Sequence, residues 1–170
     1  MSKFIKLNSV KYPGLECIVD DEDYDELIKY NWHPKIYLKD NVCYAAMWNH
    51  GHPITMHIFI MKYHEHNINN QDIDHKDHNG LNNQKENLRI CTKSQNHYNT
   101  NKHRGNKTSE YKGVSFDKHR NKWFVQLKFD NKNIYIGRFD KEKDAGLAYN
   151  KKAIEVYGDY AHLNNIKDGI

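Results

Sequence analysis

The stretch Ile73–Thr100, IDHKDHNGLNNQKENLRICTKSQNHYNT, constrains the fold of this chain more than any other. Its apolar residues fall in two short groups, at Ile73 and at Leu88–Cys91, separated by a polar run. That pattern predicts two short strands joined by a polar turn around Lys76–Gly80. Thr92 stands three residues before Gln95, a T-x-x-Q capping box, so a helix is predicted to begin there. Strand, loop, strand and helix then carry Asp74, His75, Asn87 and Asn96. Asn99 lies on the same side of that helix as Asn96.

These residue types suit one kind of chemistry. Hydrolysis of a phosphodiester needs an activated water, a stabilised anionic phosphorane and a neutralised leaving alkoxide. One hard divalent cation serves the last two needs. A carboxylate and an amide oxygen can hold it, with water and phosphate completing its shell. A neutral imidazole beside it can take the proton of the water. Asp74 and Asn96 fit as ligands of that one cation, and His75 fits as the base. His78 is a rival base, but it falls in the turn rather than next to a ligand. A strand whose side chains alternate sends Asp74 and His75 to opposite faces, so the helix must cross the hairpin to bring residue 96 toward residue 74.

Around this stretch the chain divides by charge. Residues 1–70 carry 7 Lys/Arg against 9 Asp/Glu, net −2, whereas residues 71–170 carry 19 against 13, net +6. The basic half points to a polyanionic partner. Hydrophobic residues make up 38% of the 170, so no single piece can own a large core, and 12 Tyr, 6 Phe and 3 Trp must supply much of the packing. The three cysteines, Cys17, Cys43 and Cys91, are scattered and never form a C-x-x-C pair, so buried thiols are expected rather than disulfides or a structural zinc. No apolar run approaches the roughly 18 residues of a membrane span. The opening MSKFIKLNSV has no signal-peptide core, and a cytoplasmic, non-secreted protein without membrane contact is expected.

The first seventy residues read as a mixed α/β scaffold. Phe4–Leu7 and Glu16–Val19 are strand candidates around a Tyr12-Pro13-Gly14 turn. Asp20 or Asp21 is placed to cap a helix reaching about Tyr30, with Glu22, Asp23 and Asp25 as a solvated acidic turn. Val42–Trp48 reads as a strand, Asn49–His52 as a turn, and Ile54–Met61 as a strand or the start of a helix. His57 within it is expected to be a hydrogen-bonded core residue.

The last seventy residues read as a second module. Asn101–Glu110 is a basic linker whose Lys102, Arg104 and Lys107 can lie along a nucleic-acid backbone. Strands follow near Tyr111–Phe116, at Lys122–Lys128 and at Ile134–Gly137. In the second, Trp123, Val125 and Leu127 alternate with Phe124, Gln126 and Lys128. Asp140 is expected to cap a helix through Tyr157, with Ala145, Ala148, Tyr149, Ala153 and Val156 on one stripe and Gly158 ending it. A three-stranded antiparallel sheet packed on one helix results. Its outer face is expected to hold Lys112, Ser115, Gln126, Lys128, Asn133 and Tyr135, which suit phosphates and base edges.

Two resemblances bear on these readings. Asp74-His75, Glu86-Asn87-Leu88 and Ser94-Gln95-Asn96, with Gly80-Leu81-Asn82-Asn83 between, resemble the HNH nucleases of phages and mobile elements. The resemblance implies a ββα-metal (His-Me finger) core, His75 as base, Asp74 and Asn96 as ligands of one Mg²⁺ or Mn²⁺, and Asn87 holding the loop and orienting the base. The segment around Met56-His57-Ile58 is similar to the one that precedes that core, although the family's usual Arg after the His is Ile58 here. Separately, Y-K-G-V, K-W, I-G-x-F, A-x-x-A-Y-N-K-x-A and the closing A-x-L-N resemble the ethylene-response-factor (APETALA-type) DNA-binding domain, which implies duplex DNA as partner. Lys112, Ser115 and Lys128 stand where that family carries Arg.

An α+β chain is therefore expected. Scaffold and nuclease core occupy residues 1–100, with the core at 54–100, the linker occupies 101–110, and the sheet domain 111–165. The expected activity is metal-dependent cleavage of double-stranded DNA, of the homing type, by a monomer or weak dimer. The competing expectations are a catalytically inactive, sequence-specific DNA-binding regulator and an RNA-directed nuclease.

Overall fold

The computed structural model describes residues 1–37, 42–100 and 108–166. The expected Lys102, Arg104 and Lys107 contacts lie outside the described residues. The chain forms two compact units, Met1–Asn96 and His97–Ile170.

The first unit is built from small antiparallel pieces. Strands β1 (Ser2–Lys6) and β2 (Glu16–Asp20) pair along their length. Helix α1 (Asp21–Leu27) follows and stops short of Tyr30. Its end is fixed by Trp32, which is almost fully buried and donates its indole N–H to the Leu27 carbonyl at 2.8 Å. Strands β3 (His33–Tyr37), β4 (Val42–Asn49) and β5 (His52–Thr55) form a sheet in the order β3-β4-β5. Between β4 and β5, His50 and Gly51 both have positive φ, which makes the tight two-residue turn that matches strand twist. The ambiguous apolar run resolves into β5 and then helix α2 (Met56–Tyr63).

The hairpin β6 (Asp72–His75) with β7 (Leu88–Cys91) and helix α3 (Lys93–Tyr98) completes the ββα segment. The capping box forms in both directions. Gln95 N–H reaches Thr92 Oγ1 at 3.2 Å, and Thr92 N–H reaches Gln95 Oε1 at 2.8 Å. One core joins these pieces through Val19, Leu27, Trp32, Met56, Ile60 and Leu88.

The acidic turn of α1 departs from expectation. Asp20 sits at the N-cap but makes no side-chain cap. Its carboxylate accepts the Lys85 N–H at 2.7 Å and the Gln84 amide at 3.3 Å. Asp23 is not solvated: it is buried, and His64 donates to it at 2.5 Å. A charge without water needs a partner, and a histidine from the end of α2 supplies it.

The second unit contains β8 (Val114–Asp117), β9 (Lys122–Phe129) and β10 (Lys132–Phe139) in the order β10-β9-β8, all antiparallel. Asp130 and Asn131, both at positive φ, form the tight turn into β10. Helix α4 (Glu142–Tyr157) has Lys141 at its N-cap, while Asp140 instead pairs with Lys122 at 2.8 Å. Ala145, Tyr149, Ala153 and Tyr157 bury the helix against Val114, Val125 and Leu127. Gly113 is required where β8 begins: it has φ +75°, and a Cβ there would lie 2.1 Å from the Tyr149 ring.

Candidate active site

Alternation along β6 puts Asp72 and Asp74 on one face of the hairpin and His75 on the other. Asp74 lies opposite Arg89 in the register. Arg89 donates to Asp74 Oδ2 through Nε at 2.9 Å and Nη2 at 2.7 Å, and Asp74 is buried. Asn96, one turn into the capped helix, donates its Nδ2 to Asp72 Oδ2 at 2.9 Å. The structure thus brings Asp74 and Asn96 to the same side of the hairpin. It adds Asp72, a carboxylate that sequence reasoning overlooked although it stands two residues before Asp74 on the same strand face.

Two carboxylates and a carboxamide oxygen are hard donors, and this set fits a divalent cation of the Mg²⁺ or Mn²⁺ kind. Among the described residues no three His, Cys, Asp or Glu side chains gather closely enough to hold a metal by themselves. A cation here would need the Asn96 oxygen, with water or phosphate oxygens completing its shell.

His75 is buried in an aromatic niche. Its ring centroid lies 4.9 Å from His57, edge to face, and 5.6 Å from Tyr44. Gly80 lets the loop press against β4 at this point, since a Cβ there would meet the Cys43 carbonyl at 2.4 Å and the Tyr44 ring at 2.7 Å. Burial pulls the His75 pKa below its ordinary value. A hydrogen bond to Asn83 and the charges of Asp77 and Asp74 oppose that pull without cancelling it. The ring is therefore neutral at pH 7, as a base must be. Burial, together with the neighbouring His75, pushes His57 down to about 3. His57 Nε2 is hydrogen-bonded to the Thr55 hydroxyl at 3.1 Å, whereas its Nδ1 has no partner among the described residues.

Asn87 is committed to the loop. Its Oδ1 accepts the Asp77 N–H at 3.0 Å, and its Nδ2 donates to Asp77 Oδ1 at 2.9 Å and to the Asn82 carbonyl at 2.8 Å. The Asp77 carboxylate also accepts from Asn79 N–H and Asn82 Nδ2. Burial alone would raise the Asp77 pKa, but these bonds together hold it below the usual carboxylate range. His78 stands in this turn at φ +62°. The side chain that meets His75 Nε2 is Asn83, whose Oδ1 lies 3.5 Å away.

In the second unit Ser115, Gln126, Lys128, Asn133 and Tyr135 share the sheet face away from α4, as the cross-strand pairs Gln126↔Tyr135 and Lys128↔Asn133 require. Lys112 is not on that face. It precedes β8, is partly buried, and donates its ammonium to the carbonyls of Tyr98 and Thr100, both at 2.7 Å. Burial brings its pKa down to about 8. A cavity of about 310 Å³ nonetheless collects Lys112, Ser115, Gln126, Lys128 and Asn133 in its lining.

Sequence reasoning missed Arg138. The register shifts between Tyr135 and Gly137, so the bulge at Ile136 returns Arg138 to the outer face opposite Phe124. Its guanidinium lies 5.2 Å from the Phe124 ring and 5.4 Å from the Tyr135 ring, and Nη1 donates to the Tyr135 hydroxyl at 3.2 Å. Phe124 and Tyr135 stack on each other at 5.4 Å. This aromatic and guanidinium platform has the chemistry of a nucleic-acid contact.

Two comparisons with known proteins bear on these residues. The family model of the HNH endonuclease matches residues 55–98, which span α2, the β6–β7 hairpin and α3. That segment therefore carries the signature of a nuclease or DNA-binding role. A protein of Arabidopsis thaliana, the dehydration-responsive element-binding protein 2D, is 36% identical over 61 residues, or 35% of this chain. The chain spans only 29% of that relative's length. No helix among the described residues is long and apolar enough to cross a membrane.

Proposed function

We propose that this protein is a metal-dependent DNA endonuclease of the homing type. Its ββα segment cuts a phosphodiester, and its C-terminal sheet selects the site. The observation that carries this reading is a buried His75 next in sequence to the hairpin face that holds the Asp72 and Asp74 carboxylates and the Asn96 amide, inside the HNH match.

Asp74 and the Asn96 amide oxygen would hold one Mg²⁺ or Mn²⁺, with Asp72 beside them. When bound, the cation supplies charge stabilisation for the phosphorane and the leaving oxygen. Arg89 holds Asp74 in place through its two N–H donors. His75 accepts a proton from water as the water oxygen attacks phosphorus. The bond from phosphorus to the 3′ oxygen breaks, and that oxygen takes a proton from solvent, leaving a 5′-phosphate and a 3′-hydroxyl. Asn87 keeps the loop between the strands in one shape through its three hydrogen bonds.

Double-stranded DNA is the substrate in this reading because of the second unit. Gln126, Lys128, Asn133, Tyr135 and Arg138 present amides, cations and stacked rings on one sheet face. The partial identity to a plant protein named for element binding supports the same assignment. A single core supplies one cleavage centre, so a monomer nicks, and a double-strand break needs a dimer or two events.

One observation favours the contrary reading of a DNA-binding protein without chemistry: Arg89 already neutralises Asp74. Incubation of the full chain with a supercoiled DNA library, with Mg²⁺ or with chelator, separates the two readings. Metal-dependent nicks carrying 5′-phosphate ends support the nuclease. Tight binding with no nick under any metal would leave only the binding protein.

A further inference from the structure

The niche around His75 contains a residue that neither motif spacing nor the family match assigns. Asn83 is completely buried, and its Oδ1 faces His75 Nε2 at 3.5 Å. Its Nδ2 is buried and has no hydrogen-bond partner among the described residues. An unpaired buried amide is costly, whereas an apolar side chain of the same shape would avoid the cost. A carboxamide here therefore points to a use other than stability.

The backbone of Asn83 is pinned from outside the ββα segment. Its N–H donates to the Ile18 carbonyl at 2.8 Å, and the Ile18 N–H donates to the Leu81 carbonyl at 2.8 Å. Ile18 and Asn82 form a parallel bridge, and the Asp20 carboxylate catches the next two residues, Gln84 and Lys85. Strand β2 of the N-terminal scaffold thus fixes the loop on both sides of Asn83.

We propose that Asn83 is a positioning residue that selects the tautomer of His75, and that β2 holds Asn83 for this purpose. A carboxamide oxygen only accepts, so it favours the neutral ring with its proton on Nε2. The lone pair then sits on Nδ1, and Nδ1 is the atom that takes the proton of the water. Asn87, fully engaged with Asp77 and Asn82, is left to shape the loop. The inference rests on the nuclease reading for its purpose but not for its geometry.

The test uses the full chain labelled with ¹⁵N-histidine, with the His75 signals assigned by their loss in His75→Gln. At neutral pH the ring nitrogen shifts should show Nε2 protonated and Nδ1 bare. Asn83→Leu should turn this into a mixture of tautomers, and Asn83→Asp, which keeps an acceptor, should restore it. In plasmid nicking, Asn83→Leu should lower kcat roughly a hundredfold with KM within about twofold, and Asn83→Asp should recover most of the loss.

A wild-type ring protonated on Nδ1 overturns the proposal, because it means that the amide presents Nδ2 to His75. An unchanged tautomer in Asn83→Leu overturns it equally. If Asn83→Leu does not fold, Asn83→Ala carries the same comparison and the wild-type spectrum still decides. Tautomers that follow residue 83 in a chain that never nicks DNA uphold the coupling and sink the nuclease reading alone.

Discussion

Asn87 and His57 show how much a single side chain can hold. Asn87 satisfies all of its polar atoms within the loop, so Asn87→Ala leaves the Asp77 carboxylate and N–H short of partners. We expect a loss of about 1–3 kcal/mol in urea unfolding, with DNA cleavage falling as the loop loosens. His57 gives a pH signature. Its pKa is about 3 in the fold, against about 6.5 in an unfolded chain. Below pH 6.5 the unfolded chain binds a proton that the folded one refuses. The stability from this site is therefore complete above pH 6.5 and is lost as pH falls toward 3, by up to about 1.4 kcal/mol per pH unit. Urea titrations at pH 7 and pH 5 should show that loss in wild type and a smaller one in His57→Phe.

Residue types told part of this story in advance. Asp74, His75, Asn87 and Asn96 are conspicuous because carboxylate, imidazole and amide recur where a hairpin and a capped helix meet. Asp72 and Asn83 were less legible. Asp72 becomes informative only when α3 crosses the hairpin and Asn96 reaches it. Asn83 reads as one polar loop residue among several until Ile18 of β2, far earlier in the chain, pairs with its backbone and it is buried.

Elements follow their sequence signals closely where the signal is local. The T-x-x-Q box starts α3, and the alternation of β9 sorts Val125 and Leu127 inward from Gln126 and Lys128. Non-local effects shift the rest. Helix α1 stops before Tyr30 because Trp32 folds back onto the Leu27 carbonyl. The outer face of β10 gains Arg138 because strict alternation fails at the Ile136 bulge, and period-two reading would have turned that side chain inward. Lys112 leaves the face because its ammonium serves two backbone carbonyls.

Gly113 tests the second unit at this scale. Its positive φ opposes a side chain, and so does the Tyr149 ring, which an added methyl would meet at 2.1 Å. Gly113→Ala is expected to destabilise the unit by about 3 kcal/mol, visible as a lowered Tm.

For the whole molecule, the sequence distributes tasks along the chain. An acidic N-terminal seventy residues precede a basic remainder. In the structure, the N-terminal strands clamp the loop beside His75, and the C-terminal sheet carries the Gln126, Lys128, Tyr135 and Arg138 face. Arg138→Ala should weaken duplex binding by about 1–3 kcal/mol in fluorescence anisotropy at fixed salt, while leaving the fold of the sheet intact. Wild-type affinity should fall steeply as salt rises, since cations released from phosphates drive part of the binding.

In the proposed reading, His75 is what makes this chain a nuclease rather than a DNA-binding protein alone. Supercoiled-plasmid nicking with Mg²⁺, comparing wild type with His75→Ala at protein concentrations that saturate binding, tests it most directly. We expect wild type to nick, and His75→Ala to bind equally well while cutting at least roughly a hundredfold more slowly. Equal cutting by both, or binding without cutting by either, would contradict the assignment of His75 as the base.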